Sequence, residues 1–345
     1  MKKYLLFFLL CILFGSMSLR AATLQRTILS HNGKLTQYDV NRWQEAIADA
    51  VKGDTVFFTP GVFPGDVTVT KAITMIGAGV REDVVFWKDS DLGGSDELAA
   101  VYDGYAVEGT STVITGSVNV SIPGSVLLTT TFMEGIVIRN AWSSGIHVTE
   151  PVTGLTIKRC QIARLFDASA KVTNLRFENC YCSRFQAANL ENPEIYNCYF
   201  QEIIGGGEEN IEVYNSVVTK LNGREETILT NWVFTNCIIL PGDYTTYAYV
   251  KCNAFVNCLY AGDPDDGTSL TNCWNINYPL YPHLFTKTYL DTNGYLDNYE
   301  RVVGPLGGDI PFTFEPSLPY VLSSTLDYQK VTKKLNVNAT VKKGH

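Results

Sequence analysis

Three short stretches in the middle of the chain share one pattern. Leu175 to Cys180 reads LRFENC, Pro193 to Cys198 reads PEIYNC and Ile211 to Ser216 reads IEVYNS. In each stretch an apolar residue lies three positions before the last residue, and an Asn immediately precedes the last residue. A recurring unit has to be identified before local motifs are interpreted, because it determines the whole fold.

The unit recurs on both sides of these stretches. Eight stretches align without internal gaps, and their last residues are 15 to 21 positions apart. The other five are Ile136 to Ala141, Leu155 to Cys160, Trp232 to Cys237, Asn253 to Cys258 and Leu270 to Cys273. Asn is the penultimate residue in seven of the eight, and Arg159 takes its place in the other.

Within the unit, apolar and polar residues alternate before and after the Asn, which is the period of a strand with one buried face. Across the Asn the apolar positions are three apart instead of two, so the chain turns a corner and keeps the same side inward. Asn suits such a corner because it tolerates left-handed backbone conformations. Strand, corner and strand at this period predict the coils of a parallel β-helix. Leucine-rich repeats are the alternative, but they place Asn three residues after a Leu.

The cysteines belong to this pattern. Of nine cysteines, six occupy the last position of the unit, where stacked coils place them in one interior row: Cys160, Cys180, Cys198, Cys237, Cys258 and Cys273. The Cβ vectors of a stacked row run parallel, which is poor geometry for a disulfide. We therefore expect buried free thiols. Cys182 is also expected to point inward, and the pairing of Cys182 and Cys252 stays open.

The first 22 residues have the composition of an export signal. Lys2 and Lys3 precede an apolar run of eleven residues, from Tyr4 to Phe14, and small residues follow. Acylation of Cys11 is the alternative, but Cys11 lies inside the apolar run. No later stretch approaches the 18 apolar residues of a membrane span. We therefore expect an exported protein without a membrane span, placed in the periplasm, at the cell surface or outside the cell.

Composition excludes other classes. The 345 residues are 46% hydrophobic and 18% charged, which is unlike a disordered chain. The formal net charge is −8, and removal of the first 22 residues makes it about −11 because only basic residues are lost. A chain this acidic is not expected to bind nucleic acid.

A resemblance to a family begins at the first coils. Val40 to Val51 has the apolar spacing of a short capping helix. Trp43 to Gly79 resembles the N-terminal cap and first coils of pectin-lyase-like right-handed parallel β-helix proteins, in which Gly-Asp, Pro-Gly, an aromatic residue and Ile-Gly follow the helix. Here these are Gly53-Asp54, Pro60-Gly61, Phe63 and Ile76-Gly77. The resemblance extends from about residue 38 to residue 310.

The predicted organisation has three parts. Residues 1–22 form the signal peptide, residues 23–310 form the all-β right-handed parallel β-helix with a capping helix at about 40–51, and residues 311–345 form a C-terminal β-hairpin tail. The tail is similar to those of bacterial secreted β-helix proteins of unassigned function. It either caps the last coil or serves as a small attachment module. We expect a monomer.

The resemblance to this family implies an enzyme that acts on carbohydrate, but the catalytic motifs of the family are not found intact in this chain. Galacturonan hydrolases of the family have paired Asp residues with Gly-His-Gly and Arg-Ile-Lys. Here Gly145-Ile146-His147 interrupts the first motif, and the second is missing. The Gly-x-x-Asp-Phe of the esterases and the clustered Asp residues and Arg base of the lyases are not found either. These differences favour a non-catalytic protein, since fold alone does not confer function.

Three sets of candidate site residues remain. Outward positions predict that Arg176, Glu194 and Glu212 stack on adjacent coils, as an acid/base pair beside a guanidinium or as a solvated ion ladder. The other two sets are a sugar-binding pair, Tyr196 with Tyr214, and a calcium loop in GDPDDG, with Asp263, Asp265 and Asp266. A plain acidic turn is the alternative for that loop, and no other cofactor is expected.

The function predicted from sequence is an exported, non-catalytic β-helix protein that binds carbohydrate or another surface partner. Two alternatives stay open. One is a polysaccharide lyase or glycoside hydrolase acting on an acidic polysaccharide, and the other is a structural or adhesive spacer.

Overall fold

The computed structural model describes residues 25–80, 111–123, 127–139, 145–204, 211–219, 221–222, 232–240, 254–261, 268–276, 287–308, 320–329 and 334–342. The described structure is nearly all β, with a parallel β-solenoid of about 7 turns and very few helices. The predicted signal peptide, Cys252 and the GDPDDG loop fall outside the described residues, so these predictions stay untested.

Each middle coil passes through three sheets, whereas the sequence pattern predicts two strands. Sheet C is the additional one, with the two-residue strands Val152–Thr153, Val172–Thr173 and Leu190–Glu191. A second left-handed corner follows each of these strands, at Gly154, Asn174 and Asn192. Strands of two residues carry no alternation, which explains why the pattern does not show them.

Sheet A contains the strand that precedes the predicted corner in each coil. Its strands, in the order in which they pair, are Lys34–Asp39, Arg26–His31, Thr55–Phe58, Thr74–Ile76, Met133–Glu134, Thr156–Lys158, Arg176–Glu178, Glu194–Tyr196, Ile211–Tyr214, Trp232–Thr235, Ala254–Val256 and Ser269–Thr271. Pairing is antiparallel around Arg26–His31 and parallel from Thr55–Phe58 onward. Sheet A therefore runs the length of the solenoid.

Sheet B follows the corner. Its strands are Gly61–Pro64, Val67–Val69, Thr112–Thr115, Val118–Val120, Ile136–Ile138, Gly145–Val148, Gln161–Ala168, Tyr181–Gln186, Tyr199–Ile204, Val217–Val218, Leu221–Asn222, Ile238–Ile239, Leu259–Tyr260 and Trp274–Asn275. All the pairings within sheet B are parallel. Gly145 has to be glycine in this sheet, since a Cβ there would lie 1.9 Å from the Leu165 carbonyl oxygen.

The interior consists of side chains stacked from coil to coil. The register confirms the predicted apolar column for seven of the eight units, through Ile157, Phe177, Ile195, Val213, Phe234, Phe255 and Leu270. The first unit, Ile136 to Ala141, is wrong: Ile138 pairs with Ile162 in sheet B, so Ile136–Ile138 follows a corner, at Gly135, and does not precede one. All three of its residues are buried, so the sequence shows no alternation that could reveal this register. Phenylalanines fill the middle, where Phe185 packs with ring centroids 5.1 Å from Phe166 and 5.2 Å from Phe200. Such stacks bury large apolar area, which is the main stabilising contribution to this fold.

The N-terminal end of the solenoid is covered. A 3-10 turn at Val40–Arg42 leads into the helix Trp43–Asp49, which lies within the predicted range. Trp43 is fully buried and packs edge-on against Phe58 and Phe63 of the first coil. Asp54 ends this region by accepting a hydrogen bond from the Val51 amide at 2.8 Å.

The C-terminal part has two described pieces. Residues 287–308 include the helix Lys287–Thr292 and pack against the outer face of sheet B, where Leu290, Val302 and Val303 join Val217 and Ile238 in one buried cluster. The second piece is an antiparallel hairpin of Tyr320–Gln329 and Lys334–Lys342, at the predicted place. No described helix is long and apolar enough to cross a membrane.

Candidate functional site

Two outward columns on sheet A bring most of the predicted site residues together. Arg176 pairs with Glu194, and Glu194 pairs with Glu212, so the predicted stacking on adjacent coils is confirmed. The second column lies two positions further along each strand and runs Lys158, Glu178, Tyr196, Tyr214 and Thr235. We call these two columns the sheet A stripe.

Arg176 is the centre of an ion-pair network. Its Nε donates to Glu178 Oε2 at 3.0 Å, and its Nη1 lies 3.5 Å from Glu194 Oε2. Lys158 Nζ approaches the same Glu178 oxygen at 3.2 Å. Glu178 is buried, and burial raises its pKa, but the Lys158 and Arg176 cations outweigh this and hold the pKa below its usual value. Glu178 is therefore an anion that fixes the position of Arg176.

Glu212 forms a pair with an aromatic residue of its own strand. The Tyr214 hydroxyl donates a hydrogen bond to Glu212 Oε2. Burial raises the pKa of Tyr214, and the bond to Glu212 raises it further. Tyr214 therefore keeps its proton and holds the Glu212 carboxylate at the surface.

The tyrosines stack on each other, and this geometry modifies the predicted sugar-binding pair. The Tyr196 and Tyr214 rings are 5.2 Å apart at an interplanar angle of 15°. The other face of Tyr196 is approached by the Arg176 guanidinium, 6.0 Å from the ring centroid. The two rings therefore do not form a flat platform. The remaining ring face is that of Tyr214 on the side of Thr235.

The outer surface of sheet A becomes lower, forming a step, between the strand with Tyr214 and the next strand, with Thr235, because the outward side chains become shorter. Beyond Tyr214 the second column continues with Thr235 and Val256, and beyond Glu212 the first column continues with Val233. Thr235 and Val233 are half-buried, and both are much shorter than a tyrosine. Among the described residues, the step is a shelf walled by the Tyr214 ring with the Glu212 carboxylate at its edge.

The carboxylates lack the environment of a glycosidase pair. A general acid requires a carboxyl group whose pKa is raised by an apolar setting. The Glu194 side chain is 54% exposed and is paired with Arg176, while Glu212 is exposed and accepts a hydrogen bond from Tyr214. Neither side chain therefore lies in the apolar setting that a general acid requires. The acid/base role of Glu194, Glu212 and Arg176 stays a prediction with little support from this geometry.

The cysteine row is interior and does not contribute to the site. The described cysteines are free, and all but the half-exposed Cys273 are buried, including Cys182. The row is held by backbone bonds, as where the Cys237 amide donates to Cys258 Sγ at 3.4 Å. Burial raises the pKa of Cys180 and Cys258 well above the usual value, so they are poor nucleophiles. The sequence-based interpretation of this row as free thiols is confirmed, and their burial is confirmed for every member except Cys273.

The predicted calcium loop with Asp263, Asp265 and Asp266 lies outside the described residues. Within the described ranges, no group of three or more His, Cys, Asp or Glu residues is placed to hold a metal ion. Calcium binding by this loop therefore stays a prediction from the sequence.

Sequence reasoning missed two members of the stripe, Lys158 and Glu178. It followed the second column only at Tyr196 and Tyr214, although the same position on the two preceding strands faces the same way. Comparisons with protein-family models, curated proteins and solved structures found no match. The function of this chain therefore has to be inferred from its own geometry.

Proposed function

We propose that this protein is an exported, non-catalytic carbohydrate-binding protein and that the sheet A stripe is its binding surface. The observation that carries the proposal is the step between Tyr214 and Thr235. A pyranose ring fits such a step by placing its C–H face on the Tyr214 ring. The Glu212 carboxylate then accepts hydrogen bonds from sugar hydroxyls.

The charge of the stripe favours a class of glycan. Its cations Lys158 and Arg176 both pair with Glu178, and Arg176 also pairs with Glu194, whereas Glu194 and Glu212 face solvent. The chain is also acidic overall, at −8. A uronic-acid polymer is repelled by such a surface, so neutral glycans and glycans with free amino groups are the expected ligands.

A glycan array with neutral, acidic and amino-bearing glycans, read together with a polysaccharide depolymerisation panel, tests the proposal. We expect binding without depolymerisation. Tyr214→Ala should weaken the selected glycan at least about tenfold, or ~1.4 kcal/mol. Thr235→Tyr should weaken it as well, by filling the step. Tyr299→Ala is the matched control, because Tyr299 is 78% exposed and lies outside the stripe.

Three results would contradict the proposal. Wild-type affinity in Tyr214→Ala would remove the stripe from binding. Depolymerisation that is lost in Glu194→Gln would establish the enzyme alternative instead. Binding to no glycan, with the protein still held on whole cells, would favour the adhesive spacer.

A further inference from the structure

The C-terminal end of the solenoid exposes its interior. The last strand of sheet A in the described residues is Ser269–Thr271, and all three of its residues are exposed. Leu270 continues the interior column from Phe255, yet it is 44% exposed. Cys273, the last thiol of the row, is half-exposed, whereas Cys258 on the preceding coil is buried. An exposed core and an unpaired strand edge are liabilities that solenoids cover with a cap.

The hairpin of Tyr320–Gln329 and Lys334–Lys342 lacks a partner of its own. Within the described part of the chain it forms a separate two-stranded sheet. Such a hairpin is marginally stable by itself in water. Its register alternates apolar and polar pairs. The apolar pairs are Leu326 with Val337 and Tyr328 with Leu335, and the polar pairs are Asp327 with Asn336 and Thr325 with Asn338.

We propose that this hairpin packs on the C-terminal end of the solenoid, with its apolar positions over Leu270 and Cys273. One contact then covers both the exposed core and the apolar side of the hairpin. The chain permits it: eleven residues link Gly308 to Tyr320 and span up to roughly 36 Å when extended. Gly308 lies beside Asn215, three coils or about 14 Å from the last corner at Asn272.

The eleven-residue link between Gly308 and Tyr320 also favours the hairpin over a second copy of the chain as the cap. A second copy of the chain can pair with the same strand edge. The hairpin, however, is attached to the solenoid that it covers, and a short link gives it an effective concentration in the millimolar range. The structure therefore favours the chain's own tail, which functions as a cap in this proposal and not as an attachment module.

Alkylation of Cys273 by a maleimide in native full-length protein tests the cap, in a Cys252→Ser background with the modified thiol identified by mass spectrometry. We expect slow alkylation of the parent protein. A double variant with Leu326→Asp and Val337→Asp should react at least about tenfold faster at Cys273. The matched control carries Thr325→Asp and Asn338→Asp on the polar side and should react like the parent.

Cys258 reports on the solenoid itself. It should stay unreactive in every variant, and deletion of residues 311–345 should give the same selective reaction at Cys273. Equal Cys273 rates in the parent, the double variant and the deletion would overturn the proposal. Protection of Cys273 that rises with protein concentration, together with a dimer in sedimentation, would overturn it in favour of a second copy.

Discussion

At the scale of the residue, the fold depends on a backbone conformation that few side chains accept. The corners at Asn179, Asn197, Asn215, Asn236, Asn257 and Asn272 have φ between 47° and 55°, which is the left-handed region. L-residues with a Cβ are disfavoured there, and Asn is the main exception besides Gly. The recurring Asn is therefore a consequence of a left-handed corner that recurs from coil to coil, and the second corner at Asn174 and Asn192 has the same cause.

Asn197 tests this explanation, because it is buried and its backbone amide keeps the ladder bond to the Tyr214 carbonyl at 3.1 Å. Asn197→Ala should lower the free energy of unfolding by about 1 kcal/mol, because the Cβ of Ala disfavours the left-handed backbone conformation at this corner. Asn197→Gly should be more stable than Asn197→Ala. Urea denaturation gives the ranking, and a more stable Ala variant would show that the backbone is not the cause.

Arg159 occupies a corner at which the following coils have Asn, and the structure explains the difference. Its φ is 50°, and its Nη1 lies 2.6 Å from Glu134 Oε1 in a buried ion pair. The sequence showed the exception but not its partner, because Glu134 lies 25 positions earlier and belongs to the strand of the preceding coil. A pair between coils has no signature in a repeat alignment.

The ion pair of Arg159 with Glu134 predicts that replacing Arg159 with the Asn of the other units destabilises the protein. Arg159→Asn restores the repeat, yet it should lower the free energy of unfolding by about 3 kcal/mol, because it leaves the Glu134 carboxylate buried without a cation. Adding Glu134→Gln should recover most of the loss. Both variants can be compared by thermal and urea unfolding. A single variant as stable as the wild type would mean that water already solvates Glu134.

At the scale of the element, the pattern located the pieces that alternate and missed those that do not. The capping helix and the hairpin strands lie where their periodicity placed them. Residues 287–308 have no repeat register, so their packing along sheet B was not predictable. They are held by tertiary contacts, such as the Gly304 amide donating to the Asn236 carbonyl at 2.6 Å.

Asp297 holds residues 297–301 together through its carboxylate, and this makes the stability of the segment depend on pH. Its buried carboxylate accepts hydrogen bonds from the Tyr299 and Arg301 amides and pairs with the Arg301 guanidinium at 2.8 Å. Burial raises its pKa, but these bonds outweigh burial and leave the pKa below the usual value. Its contribution is therefore complete above about pH 4, the unfolded value, and is lost as the pH falls through the lower folded value.

The comparison of wild type with Asp297→Asn measures this contribution. The difference in the free energy of unfolding should be constant near neutral pH and should shrink toward zero below about pH 4. Asp291→Asn is the matched control, since Asp291 lies on the exposed side of the helix Lys287–Thr292. A difference that grows on acidification would have the wrong sign and would reject the assignment.

At the scale of the whole molecule, the stack of coils gives a cysteine-rich chain an interior row of thiols, with no disulfide among the described residues. The interior row was predictable because its members share one position in the unit. The shelf beside Tyr214 was not, because it depends on the relative heights of side chains on adjacent coils and on which ring faces are already covered. Sequence register gives neighbours, but it does not give ring orientation.

The thiol count is the test at this scale. Denatured, unreduced protein should react with a thiol reagent at all seven described cysteines, whereas the folded protein should react slowly because burial keeps the thiols protonated. Mass spectrometry after alkylation assigns each site. Recovery of almost no free thiol after denaturation would show that the row is oxidised and would require the coils to be distorted.

The similar length of the coils from Leu155 onward also has a consequence for folding kinetics. Contacts between neighbouring coils join residues 18 positions apart, as from Arg176 to Glu194, or 21 apart, as from Ile211 to Trp232. Folding rate falls as the mean sequence separation of contacts grows relative to chain length. In this architecture the separation stays constant as coils are added, so its relative value decreases. A longer chain of the same design would close loops no larger than those closed here.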